Sequence, residues 1–146
     1  MANYATLADL PTYGVNLSAL PAWITTGMQQ AQIDAWNAKV DSYLSSKFKL
    51  PITSWGKDLT QAVAVLAAYE LICLRGFDPE SQGDVIFKQR AEREVTWLES
   101  IRDGDVVPTV VDSSAGLTDG GLFARQATSD QGSGVVKVAK PTLRGW

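Results

Sequence analysis

The stretch from Asp58 to about Leu74 constrains this chain more than any other. Leu59, Ala62, Val63, Val65, Leu66, Tyr69, Ile72 and Cys73 occupy nearly the whole circumference of a helix drawn at about 3.6 residues per turn. A helix that is apolar all round has no side to turn to water, so other elements must surround it. Glu70 interrupts the run, and the run is too short to span a bilayer. It is therefore expected at the centre of a helical bundle. Gly76 follows, where a glycine C-cap would close the helix.

The neighbouring segments carry the patterns needed to cover it. Ile33, Trp36, Val40, Leu44 and Phe48 recur at steps of three or four, a single apolar stripe on a helix running from about 27 to 48. Thr26 and Gln29 have capping-box spacing at its start, and Leu50-Pro51 closes its far end. Asp78-Pro79 reads as an N-cap followed by proline at the first helical position, although Gly83 places the firm start near Asp84. Phe87, Ala91, Val95, Leu98 and Ile101 then form an inward stripe that ends at Gly104. Thr6 and Asp9 mark a short N-terminal helix limited by Pro11, and the chain from there through Pro21 reads as irregular surface. The expected fold is mainly α: three main helices plus a short N-terminal one, in a body spanning residues 1–104.

Residues 105–146 have a different texture. Gly and Ser punctuate them, Val106-Val107-Pro108 and Val110-Val111 look extended, and only Val136-Lys137-Val138-Ala139-Lys140 alternates as a short strand would. So long a stretch without regular structure is uncommon inside a domain and is often functional. It keeps apolar anchors, among them Leu117, Phe123, Val136, Val138, Leu143 and Trp146, which a merely solubilising tail would not carry. Its charge is ordered too: Asp105, Asp112 and Asp119 come first, then Arg125, Lys137, Lys140 and Arg144 against Asp130 alone. Fully extended, such an arm reaches at most about 140 Å. We read it as an assembly arm whose partner-contacting residues are Phe123, Arg125, Val136, Val138, Leu143, Arg144 and Trp146.

Chemistry is hard to find. The chain has no histidine, so the commonest general base and metal ligand are missing. Cys73 is the single cysteine, too few for an intrachain disulfide or a thiolate zinc site, and its apolar setting suggests a small buried hydrophobe. No phosphate-loop, dinucleotide or nucleophile-elbow motif occurs. Asp34 and Asp41 share a helix face at the spacing of a solvated stripe. Glu70 is the oddest charge, with Arg75, Arg90 and Arg93 as candidate partners. Trp36 and Trp97 are expected inside the bundle, and Trp23 and Trp55 in its connections, over its ends or at contacts between subunits. With 13 basic against 16 acidic residues, mixed along the chain, no basic face for nucleic acid is implied. The opening residues lack the basic and apolar regions of a secretory signal, so a soluble intracellular protein is the expectation, with no cofactor and no metal.

Several segments carry a family resemblance. Tyr4-Ala5-Thr6-Leu7-Ala8-Asp9-Leu10, Ile33-Asp34, Val40-Asp41-Ser42-Tyr43-Leu44 and Lys49-Leu50-Pro51-Ile52 are similar to Mu-like phage head–tail connector proteins, also called adaptor or head-completion proteins. Ala91 to Leu98, Ile101, Gly104-Asp105 and the terminal Leu143-Arg144-Gly145-Trp146 resemble the same family. The resemblance implies a virion protein of a tailed phage, forming a ring of about twelve copies between the portal and the next neck or tail protein. Genomic DNA would pass through that ring unread, and a net charge of -3 suits a channel that must not hold phosphates. Another neck position, as stopper or tail-completion protein, is the nearest alternative. A small nucleic-acid-binding helical domain is a more distant one, and an enzyme the most distant.

Overall fold

A computed structural model describes residues 2–114. Four helices, α1 (Asp9–Tyr13), α2 (Thr26–Leu44), α3 (Lys57–Arg75) and α4 (Gln82–Asp103), are joined by two short strands, β1 (Ile52–Trp55) and β2 (Val110–Asp112). The expected mainly helical bundle is the fold observed. α3 lies at its centre, packed against α1, α2 and α4. Leu59, Ala62 to Ala68, Leu71 and Ile72 are all buried. Each large apolar side chain among them contributes about 1.5–3 kcal/mol relative to exposure.

The covering helices present the stripes read from their spacing. Ile33, Trp36, Val40 and Leu44 of α2 are buried, as are Ala91, Leu98 and Ile101 of α4. Phe87 and Val95 of α4 pack partly against the same core. Gly76 and Gly104 end α3 and α4 at φ 111° and 93°, a backbone region where glycine avoids a Cβ penalty. α1 lies close on α3: a Cβ at Gly14 would sit 2.7 Å from Ala68 Cβ and 3.0 Å from the Ala64 carbonyl oxygen. Small residues on both sides permit that approach.

The N-terminal strand of chain is a brace. Tyr4 is fully buried; its N–H donates to Asn37 Oδ1 at 3.0 Å, and its carbonyl accepts from Thr60 Oγ1 at 2.7 Å. Its ring meets Trp55 edge-on at 5.1 Å, and its hydroxyl donates to Asp41. Burial and the Asp41 carboxylate push the phenol pKa well above its ordinary value. Asp41 thus anchors the N-terminus, whereas Asp34 stays on the solvated face expected of both, accepting from Gln30.

Several boundaries differ from the sequence reading, each for a local reason. α2 stops at Leu44 and not at 48, because the Ser45 and Ser46 hydroxyls bond back to the Ser42 and Tyr43 carbonyls and compete with helix continuation. Phe48 still reaches the core beyond that turn. Thr25, one residue earlier than expected, caps α2 by accepting from the Met28 N–H, while Gln29 is buried and donates to the Ile24 carbonyl. Ser81 caps α4; Asp78 instead holds the preceding turn by accepting from the Glu80 N–H. The stretch after Pro11 is not surface chain, since Val15, Leu20 and Ile24 drop into the core around a 3-10 turn at Leu17–Ala19. Cys73 is exposed, not buried, because it continues the partly covered face of α3 that carries Tyr69 and Glu70, while Leu71 and Ile72 in the same turn stay buried.

β1 and β2 pair antiparallel, with Ile52 opposite Asp112 and Trp55 opposite Val110. The expected arm therefore begins by joining the body. The strand expected at Val136–Lys140 lies outside the described residues.

Leu98→Ala is expected to lower unfolding free energy by about 2–5 kcal/mol, because it leaves a cavity between α4 and α3. Urea unfolding followed by circular dichroism should show a lower midpoint with an unchanged slope.

Candidate partner interface

The chain leaves α4 along a tightly held path. The Asp105 N–H donates to the Ser100 carbonyl at 2.8 Å, the Thr109 N–H to Asp58 Oδ2 at 3.0 Å, and the Gly56 N–H to the Thr109 carbonyl at 2.8 Å. The buried Asp112 accepts from the Lys49 N–H at 2.9 Å and the Ser114 N–H at 3.0 Å. The Ser113 N–H donates to the Lys49 carbonyl. Whatever follows Ser114 thus starts from a fixed point beside β1, at the end of the bundle where α2 finishes and α3 begins.

Apolar residues are exposed at both ends. Trp23, Leu74 and Ile86 lie where α2 and α4 begin and α3 ends; Trp23 is 55% exposed. Val106 and Val107 lie at the opposite end, held outward on the clamped segment between Gly104 and Thr109. Positions fixed by backbone bonds yet left apolar are suited to contact with another surface.

Grooves on the described surface include two with mixed lining. One, of about 400 Å³, is lined by Asp58, Gln61, Arg93, Glu94, Trp97, Val106 and Val107. Burial raises the Glu94 pKa there, with Arg90 and Arg93 opposing the shift. The other, of about 380 Å³, lies among α2, α3 and α4. Its lining is mainly apolar, with Trp36, Leu66, Tyr69, Ala91 and Val95, and carries Glu70, Glu92 and Thr96. Trp36 was expected to pack inside the bundle; its ring does so at one edge of this groove, with Lys39 Nζ 4.2 Å from the ring centroid. Trp97 is only partly buried, and Trp55 covers Tyr4 from β1.

The three arginines considered for Glu70 are placed elsewhere. Arg75 pairs with Asp84, Arg90 donates to the Tyr13 carbonyl, and Arg93 lines the other groove. Asp84 is buried at the start of α4, where it ties that helix to the end of α3 and also accepts from the Asp78 N–H at 3.0 Å. The Arg75 hydrogen bond, then the Asp78 N–H, hold its carboxyl below the usual carboxylate range.

The partner-contacting residues read from sequence, Phe123, Arg125, Val136, Val138, Leu143, Arg144 and Trp146, all lie outside the described residues. The grooves were not legible in the sequence, because each combines side chains from separate elements. The anomalous Glu70 was the one signal that pointed toward either. Among the described residues no three carboxylates or cysteines gather as metal ligands, and no helix is long and apolar enough to cross a membrane.

Fold and surface together define a small helical bundle whose last described residues are tied down beside β1. The chain belongs to the bacteriophage Mu Gp36 family, whose model matches residues 4–124. It is 32% identical over 110 residues to gene product J of Escherichia phage Mu, a match covering 75% of this chain and 64% of that relative. The family makes this a Mu-type phage protein and points to a structural or morphogenetic role.

Asp84→Asn should destabilise the fold by about 1.5–3 kcal/mol, the range for hydrogen bonds to a charged group. Because the folded carboxyl has the lower pKa, the folded state binds fewer protons than the unfolded one. The contribution is therefore present above the unfolded value of about 4 and is lost as pH falls through the folded value. Thermal melts of both proteins from pH 7 to pH 2 should converge at the acid end for this reason.

Proposed function

We propose that this protein is a non-catalytic structural component of a tailed-phage neck, forming a ring between portal and tail that extends the DNA channel. The observation that carries the reading is membership of the Mu Gp36 family across most of the chain. The architecture supports it. A bundle built around one buried helix gives a rigid body, and its exposed apolar residues sit at opposite ends, as stacking between neighbours above and below would use them. The clamped root beside β1 directs the arm from a defined point on each copy. Arm residues Phe123, Arg125, Val136, Val138, Leu143, Arg144 and Trp146 would then grip the portal or an adjacent copy. Ordering such an arm costs about 1–2 kcal/mol per residue, so many distributed contacts are needed to hold it.

Removing residues 125–146 is expected to leave a helical body with an unchanged circular dichroism spectrum that no longer joins the portal. Mass measurement of purified full-length protein, alone and mixed with portal, checks this: a ring-sized species should form with the intact chain and be lost with the shortened one. Unchanged attachment by the shortened chain would refute the role given to the arm.

A further inference from the structure

We propose that the groove among α2, α3 and α4 is the docking site for this chain's own terminal segment, Val136 to Trp146, as an apolar, basic peptide. Four observations converge on it. The lining is mainly apolar, with half-buried Tyr69 and Val95 at its surface and buried Trp36 and Leu66 beneath them. Glu70 makes no ion pair with any described residue: Arg75 pairs with Asp84, Arg90 donates to the Tyr13 carbonyl, and Arg93 lines the other groove. Glu92, also on the lining, has only a loose, exposed partner in Lys88 at 3.9 Å. The Trp36 indole N–H is buried without an acceptor among the described residues, and burying a donor unpaired is costly.

The groove thus asks for apolar side chains and positive charge, and it lies beside an indole N–H that lacks an acceptor among the described residues. Val136 to Trp146 offers Val136, Val138, Leu143 and Trp146 with Lys137, Lys140 and Arg144, no acidic side chain, and the carbonyls of any extended peptide. The link from Ser114 is long enough: residues 115–135 span up to about 70 Å when extended. The groove beside Val106 is a poorer match. Asp58 there already accepts from the Leu59 and Thr109 N–H groups, and Glu94 faces Arg90 and Arg93. Every copy in an assembly presents the same groove, so the segment and its seat are available to one another throughout a ring. The docking chemistry itself does not depend on the neck reading.

The test uses the full-length chain. Carbodiimide activation followed by peptide mapping should join Glu70 or Glu92 to Lys137 or Lys140, and the product should be lost in a Glu70→Gln, Glu92→Gln double variant. In nitrogen–proton correlation spectra the Trp36 indole signal, identified by its loss in Trp36→Phe, should shift when Lys140→Glu and Arg144→Glu are introduced together. The remaining signals report whether the body is still folded. Lysines 137 and 140 joined only to other carboxylates or to none, or a Trp36 signal unmoved by the charge reversals, would overturn the proposal. Either result is read on the purified chain, so it is separable from any failure to form a ring.

Discussion

Burial of the middle of α3 on every side is the constraint on which the rest of the molecule depends. Ala62 to Ala68 leave no face for water, so α1, α2 and α4 must each commit an apolar surface to it. The small residues of that run set how close the partners come. Gly14 can sit against Ala64 and Ala68 only because neither side carries a bulky group at the contact. Tyr4 then closes the N-terminal side by bonding to α2 and α3 at once.

The body in turn fixes where the remaining chain begins. Asp58, at the start of α3, and Asp112, on β2, are both carboxylates that accept from backbone N–H groups, and each holds the path from α4 to Ser114, Asp58 through Thr109 and Asp112 through Lys49. Carboxylate bonds to N–H groups are stronger than neutral ones. They join the chain after α4 to Lys49 and to the start of α3, on either side of β1 and more than fifty residues away in sequence. The position and direction of the chain at Ser114 are therefore set by the body.

Much of the fold was legible because it rests on repetition. The α2 and α4 stripes, the all-apolar α3, and the glycines at 76 and 104 each announce themselves within a few residues. What escaped depends on choices between near-equal neighbours or on distant pairing. Thr25 and Thr26 are equally good caps on paper, and only the chain's entry angle chooses between them. Val15, Leu20 and Ile24 look like scattered loop residues until the bundle beneath them exists. Cys73 belongs to an apolar run, yet it falls on the face of α3 that its neighbours cover only partly, and the run itself does not show which face that is. The pairing of β1 with β2 could not be read from strands of four and three residues. Of the candidate interface, Glu70 alone stood out in advance, as a charge without an obvious reason. The groove around it draws on Trp36 and Val95, which spacing could assign only to the core.

Native-state amide hydrogen exchange on the full-length protein tests the central role of α3 most directly. Amides from Val63 to Leu71 should exchange only through global unfolding, with a free energy equal to that from denaturant melts and no lower than any in α2 or α4. Exchange of those amides through a smaller opening, while α2 and α4 stay protected, would contradict it.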